Sequence, residues 1–304
     1  MRILITGSDG FIGRNVGDAF EAYTSPDGDH DDVFRGSKNP ALADEQHPIL
    51  DLSDEAAVRE AIEHTRPDVI VNCAGVVAAQ NPDDFKNNSR FTTNILKAAS
   101  GRDVRRVIVC GSAGVYGQVE ADELPVKEST PLRADSPYAL SKKEEEEVAL
   151  SLGDELGVPV TVARIFNPIG PGMGPRFLVT GVLGQLAAIS RGESDEVVVG
   201  GLDALRDYVD VRDVARALVA IAHGDPKERI YNVGSGESTS NGDLVTLILK
   251  ACGVEAPVRD TATAPAVLVA CQADISRLTQ EFGWRPTVSL QDSVKAVADE
   301  ANRN

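Results

Sequence analysis

The sequence predicts an α/β fold built on a doubly wound parallel sheet, with helices on both faces and a smaller C-terminal unit. Three observations predict it. The chain opens MRILITGSDGFIG, an apolar run over 2–6 followed at once by glycines at 7, 10 and 13 and by helically spaced Phe11, Ile12, Val16 and Phe20. Short apolar runs then alternate with helical patterns as far as about residue 166, which is the rhythm of parallel strands joined by crossover helices. Beyond residue 167 that rhythm is lost in a Pro/Gly-rich turn and shorter, irregular segments. A chain of 304 residues is long enough for one large domain or two intertwined ones.

The first strand and its glycine turn carry the first chemical reading. Strand, turn and helix start are the parts of a dinucleotide site, the Rossmann arrangement. Gly7 permits the tight turn, Gly10 lets a pyrophosphate approach the backbone, and Gly13 lets helix pack on strand. Free N–H groups at the helix N-terminus, around Phe11 and Ile12, meet the phosphate charge. Val33-Phe34 reads as the second strand and ends in Arg35-Gly36-Ser37-Lys38. An acidic residue here would hold a ribose 2′-hydroxyl, whereas a cation accommodates a 2′-phosphate. Arg35, Ser37 and Lys38 stand here with no carboxylate until Asp44, which favours NADP(H) and leaves NAD(H) open.

Ile49-Leu50 reads as a third strand, ending in Asp51-Leu52, with Ser53 as the cap of the next helix and Val58, Ala61 and Ile62 as its buried stripe. A fourth strand, 69–71, runs into Asn72-Cys73-Ala74-Gly75, and 83–99 is helical. A fifth strand, 107–110, leads into GSAGVYG at 111–117. Ser136-Pro137 opens a long helix that stops at Gly157, with proline suited to its first position. Tyr138 and Lys142 share one face of it, and Glu144 to Glu147 reads as a solvated face with a Lys143–Glu147 pair. A sixth strand, 160–163, follows; a helix over 177–189, a strand at 197–199, a helix over 212–222, a strand at 230–233 and helices capped by Ser240 and near Ser289 complete the chain. This divides the molecule into a cofactor unit, 1–166 with 208–233 returning to it, and a substrate unit, 167–207 with 234–304.

Composition sets limits. The net charge of −17 argues against nucleic acid and against anionic membranes as partners. Hydrophobic content is 42% without an apolar run long enough to span a bilayer, and a strand starting at residue 2 leaves no room for a signal peptide, so a soluble, cytoplasmic protein is expected. Four cysteines lie far apart in sequence and the four histidines are scattered, so neither a metal site nor a disulfide framework is expected.

A tyrosine beside a nicotinamide can give or take a proton if a lysine one helical turn away lowers its pKa, and a serine at a neighbouring strand end can hold the substrate oxygen. Ser112, Tyr138 and Lys142 are the candidates. Together with TGSDGFIG (6–13), DL (51–52), GSAGVYG (111–117), SPYALSK (136–142), RIFNPIGPG (164–172), RDYVDVRDVARAL (206–218), YNVGSG (231–236), ADISRL (273–278) and FGWRPTVSL (282–290), they make the chain resemble the extended short-chain dehydrogenase/reductases, the sugar-nucleotide epimerases, dehydratases and reductases. Segments 175–193 and 199–218 are most similar to GDP-4-keto-6-deoxymannose reductases.

The resemblance implies Ser112, Tyr138 and Lys142 as the catalytic set, Asp51 and Leu52 near the adenine, and Cys73, Ala74, Gly75, Asn88 and Ile165 along the cofactor. It implies Val76, Ser112, Asn167, Arg176 and Arg206 at a nucleotide-sugar substrate, and a homodimer. The dehydratases carry an Asp-Glu pair after the catalytic hydroxyl; Ala113-Gly114 stands here, and glycine also replaces the cysteine of fucose-synthase-like enzymes. Hydride transfer without elimination remains: NADPH-dependent reduction of a nucleotide-linked 4-keto-6-deoxy sugar, or sugar-nucleotide 4-epimerisation. Reduction of a non-nucleotide ketone and a non-catalytic NADP(H)-binding regulatory protein are the further alternatives. The family's diphosphate-gripping arginine is missing from Ala264-Pro265-Ala266-Val267, and Arg259 is the candidate to replace it.

Overall fold

The structure is a computed structural model that describes residues 1–263, 269 and 271–303. In chain order the first half contains β1 (Arg2–Thr6), α1 (Phe11–Ala22), β2 (Asp32–Gly36), α2 (Glu55–Thr65), β3 (Val69–Asn72), α3 (Asn87–Ala99), β4 (Arg106–Ser112), α4 (Pro137–Leu156) and β5 (Val160–Ile165). There follow β6 (Asn167–Ile169), α5 (Leu178–Ser190), β7 (Val197–Val199), β8 (Leu205–Arg206), β9 (Tyr208–Asp210), α6 (Val211–His223) and β10 (Ile230–Val233). The chain closes with β11 (Thr239–Ser240), α7 (Asn241–Cys252), β12 (Val258–Asp260), α8 (Ser276–Phe282) and α9 (Leu290–Ala301).

Six strands form one parallel sheet in the order β10-β5-β4-β3-β1-β2. Strand alternation sends Ile3 and Ile5 to the core under α1 and α6, and Leu4 to the opposite core under α2 and α3. Both faces are therefore covered, as a parallel sheet requires. The strand order reverses between β1 and β3, and the crevice at their C-terminal ends is where such sheets bind ligands. A separate core gathers Val182, Leu186, Val197, Leu244, Ile248 and Val294 from α5, β7, α7 and α9.

Three local expectations are corrected. The third strand at Ile49-Leu50 does not form; Ile49 makes one isolated bridge to Ser37, and Leu50 N donates to Ser37 O at 2.8 Å. Pro48 has no N–H to extend the ladder, and Ile49 is left exposed. The cap of α2 is Asp54, whose carboxylate accepts from Ala56 N at 2.9 Å, while Ser53 turns back to Asp51. The charge run on α4 is only half solvated. Lys143 and Glu147 pair at 3.0 Å on its outer side, but Glu145 and Glu146 are buried, and Glu146 accepts from Arg164 Nε at 2.9 Å. The helical period turns two of the four glutamates inward.

The acidic positions of RDYVDVRDV serve as anchors. Asp207 is fully buried and accepts from the backbone N–H of Ser235 (2.6 Å), Gly236 (2.9 Å) and Ala273 (2.9 Å). Asp210 caps α6 through Arg212 N and accepts from Ser293 on α9. Asp213 accepts from Thr287 N and Val288 N. Three aspartates on one stretch thus tie down the returning C-terminal segments. Asp207→Ala should cost at least about 3 kcal/mol, since several buried donors each lose a partner at about 1–3 kcal/mol. Urea unfolding should show a lowered midpoint with an unchanged slope.

Candidate active site

The glycine turn is assembled by close backbone packing. Gly7 sits at φ +65°, and a Cβ there would lie 2.7 Å from Ala74 Cα. A Cβ on Gly13 would lie 2.1 Å from Gly7 O. Only glycine allows β1, α1 and the end of β3 to meet this closely. The first turn of α1 carries no side-chain cap and no acidic residue, so its N–H groups and positive dipole end face outward. Those features suit a pyrophosphate.

The end of β2 is arranged differently from the sequence expectation. Arg35 does not reach toward a 2′-phosphate. Its Nε bonds Glu21 at 2.8 Å and its Nη2 bonds Asp18 at 2.7 Å, and its guanidinium lies over Gly17. Residue 35 points to the α1 side of the sheet, and two carboxylates one turn apart on α1 hold both edges of the fork. Ser37 is buried and accepts from Asn39 N. The half-exposed cation is Lys38, whose Nζ lies 2.8 Å from Asp51. The Lys38 hydrogen bond, with Ser53, pulls the Asp51 carboxyl down to about 2. Leu52 is a core residue packed with Leu50 and Phe34, so its side chain does not face a ligand.

At the end of β3, Val76 N donates to Asn88 Oδ1 at 2.7 Å, and Asn88 Nδ2 donates to Val76 O and to Ser141 Oγ. Asn88 is fully buried and acts as a strut between this loop and α4. The sequence-distant Cys73 and Cys110 thiols come within 3.6 Å of each other; that contact and burial push the Cys73 thiol up. Gly75 brings open backbone to the site, with an added Cβ falling 4.0 Å from Lys142 Nζ.

Ser112, Asp135, Ser136, Tyr138, Ile165, Asn167 and Arg206 line one cavity of about 270 Å³. Ser112 ends β4, where its Oγ accepts from Gly114 N at 3.1 Å. A Cβ on Gly114 would stand 3.3 Å from that oxygen, so glycine keeps the hydroxyl accessible. Ser136 caps α4 and Pro137 occupies its first turn, which presents Tyr138 at the rim and carries Lys142 one turn deeper. Asn167 is fixed by donating to Asp207 O. Arg206 donates to Leu205 O, its own neighbour. Arg176 is exposed and does not line this cavity. Arg259 is held on β12 by Glu196 at 2.7 Å and is not at the site. The departure at Ala264 to Val267 lies outside the described residues. Among the described residues no group of His, Cys, Asp or Glu is placed to hold a metal ion, and no helix is long and apolar enough to cross a membrane.

Sequence reasoning missed Asn72, Thr92 and Glu145, which form a buried hydrogen-bonded line behind Lys142. Their polar character inside otherwise apolar strand and helix patterns was the available signal.

Residues 3–234 match the NAD-dependent epimerase/dehydratase family. The chain belongs to that family. The GDP-6-deoxy-D-mannose reductase of Pseudomonas aeruginosa is 30% identical, over 97% of this chain and 95% of that protein. Among solved structures, RMD from Pseudomonas aeruginosa complexed with NADPH superimposes with a TM-score of 0.84 at 26% identity, covering 99% of this chain and 100% of that one. The UDP-glucose 4-epimerase of Bifidobacterium longum, in complex with NAD+ and UDP, gives 0.83 at 26% identity, covering 99% and 98%. Epimerase/dehydratase family membership accounts for the parallel sheet, the glycine turn and the Tyr-x-x-x-Lys helix together.

Proposed function

We propose that this protein is a sugar-nucleotide-modifying oxidoreductase that uses NADPH to reduce a nucleotide-linked 4-keto-6-deoxy sugar. The observation that carries the reading is the one volume that Ser112, Tyr138, Asn167 and Arg206 line together, with Lys142 one helical turn on from Tyr138. The likeness to a GDP-6-deoxy-D-mannose reductase over nearly the whole chain supports the same substrate class. The glycine turn and the uncapped start of α1 fit a dinucleotide pyrophosphate, and Gly75 leaves room beside Lys142. When bound, NADPH supplies hydride to the carbonyl carbon.

The chain's own groups do the rest. Ser112 holds the carbonyl oxygen by hydrogen bond, and Tyr138 gives it a proton as charge develops there. Lys142 keeps two N–H donors beyond its bond to Glu145, enough to hold the two hydroxyls of a ribose. Arg206, at the cavity wall, is the cation for the substrate diphosphate. Lys38 is the group for a 2′-phosphate, in the role first assigned to Arg35. Ala113 and Gly114 offer neither acid nor base, which disfavours elimination. In this reading residues 1–166 with 208–233 hold cofactor, 167–207 with 234–304 hold substrate, and the working form is a homodimer. The likeness to a UDP-glucose 4-epimerase favours 4-epimerisation as the second reading. Such an enzyme must retain its oxidised cofactor through a turn of the intermediate.

Purified protein should oxidise NADPH in one-to-one proportion with a nucleotide-linked 4-keto-6-deoxyhexose. Tyr138→Phe should lower that rate by roughly 10²–10⁴ while leaving NADPH binding nearly unchanged. Interconversion of UDP-glucose and UDP-galactose with firmly retained dinucleotide would sink the reductase reading. Lys38→Met should weaken NADPH by about 1.5–3 kcal/mol, as for a lost charged hydrogen bond, with NADH little changed. Arg35→Ala should leave the NADPH/NADH ratio near its original value; titration calorimetry with both cofactors measures each.

A further inference from the structure

A directed line of buried hydrogen bonds ends on Glu145, the partner of Lys142, and the chemistry proposed above makes no use of it. Thr6 Oγ1 donates to Asn72 Oδ1 at 2.7 Å, and Asn72 Nδ2 donates to Thr92 Oγ1 at 3.0 Å. Thr92 Oγ1, having accepted from Asn72, donates to Glu145 Oε1 at 2.8 Å. Lys142 Nζ donates to Glu145 Oε2. Glu145 is 1% exposed and Lys142 is 5% exposed. Both oxygens of Glu145 therefore accept, as those of an ionised carboxylate do; burial pushes this carboxyl up, against the pull of Lys142 and Thr92.

Among the described residues, Glu145 is the one side chain hydrogen-bonded to the Lys142 ammonium. The other groups facing that ammonium are the Tyr138 phenol on its own helix and the Cys73 and Cys110 thiols at the strand ends. Tyr138 also shares its cavity with Asp135 and Arg206. Burial pushes the Lys142 ammonium down, but Glu145, Tyr138 and Cys110 together outweigh it and the net direction is up. A lysine placed to lower the pKa of a phenol has thus been given a counter-charge of its own.

We propose that Glu145 is a positioning residue that offsets the field of Lys142 at Tyr138, so that the buried pair, and not the ammonium alone, sets how readily the phenol passes its proton. A bare ammonium nearby favours phenolate, the base needed to oxidise an alcohol. An ammonium paired with a carboxylate favours phenolate less. The use of that proton in ketone reduction rests on the reading proposed above; the electrostatic coupling of Glu145 to Tyr138 does not.

The test is a titration of the cofactor-free full-length protein carrying ¹³Cζ-labelled tyrosine, with the Tyr138 resonance assigned by its loss in Tyr138→Phe. In Glu145→Gln the phenol should titrate at a pH lower by about 1 or more, since an uncompensated cation now faces it. An unchanged midpoint overturns the proposal, because a merely structural glutamate would not move it. The double variant Lys142→Met/Glu145→Gln removes both charges and does not leave a lone buried ion. Its phenol should titrate close to that of the unmodified chain; a rise of about 1 or more would show that the Lys142 field was never offset. Turnover of the 4-keto sugar with an unshifted phenol would overturn this inference alone. A shifted phenol without NADPH consumption would support it and overturn the reduction reading instead.

Discussion

The carboxylate of Glu145 is where four separate elements of the N-terminal half meet. Through Thr92 it reaches α3, through Asn72 the end of β3, through Thr6 the end of β1, and through Lys142 its own helix α4. A buried charge of this kind is tolerated only when each lone pair has a donor, and here the donors come from the elements whose ends form the crevice. The same polar line that satisfies Glu145 therefore fixes where the glycine turn, the β3 loop and the tyrosine helix stand relative to one another.

A second set of buried carboxylates does corresponding work for the C-terminal half. Asp207, Asp210 and Asp213 sit on one short stretch, and they collect donors from 235–236 and 273, from 293, and from 287–288. These segments are distant in sequence and contribute little sheet. Hydrogen bonds to charged groups replace the strand ladder that anchors the first half. Arg206 and Asn167 at the cavity wall lie beside this anchor, so the site's shape depends on it.

Small residues shape the site and its surroundings as much as polar ones do. Gly114 leaves Ser112 open, Gly75 leaves space beside Lys142, and Gly7 lets Ala74 press against the turn. Each absent side chain allows a ligand or a backbone to approach where a Cβ would stand.

The sequence by itself determined the parallel α/β architecture, the glycine turn and the helix that carries Tyr138 and Lys142. Those features are local: a strand ending in glycines, a Ser-Pro helix start, and a four-residue spacing that puts two side chains on one helix face. Helix caps at Ser136, Ser240 and Ser289 were legible for the same reason. Tertiary structure alone decided which charges are used and which are bound up. Arg35 is turned onto Asp18 and Glu21 by the side of the strand it occupies, and Lys38 takes the outward position. Two glutamates in a run of four are buried because α4 packs against the sheet and α3, and one of them finds Lys142. A charged residue's partner is set by where distant elements cross, and the order of residues along one segment does not contain that distance.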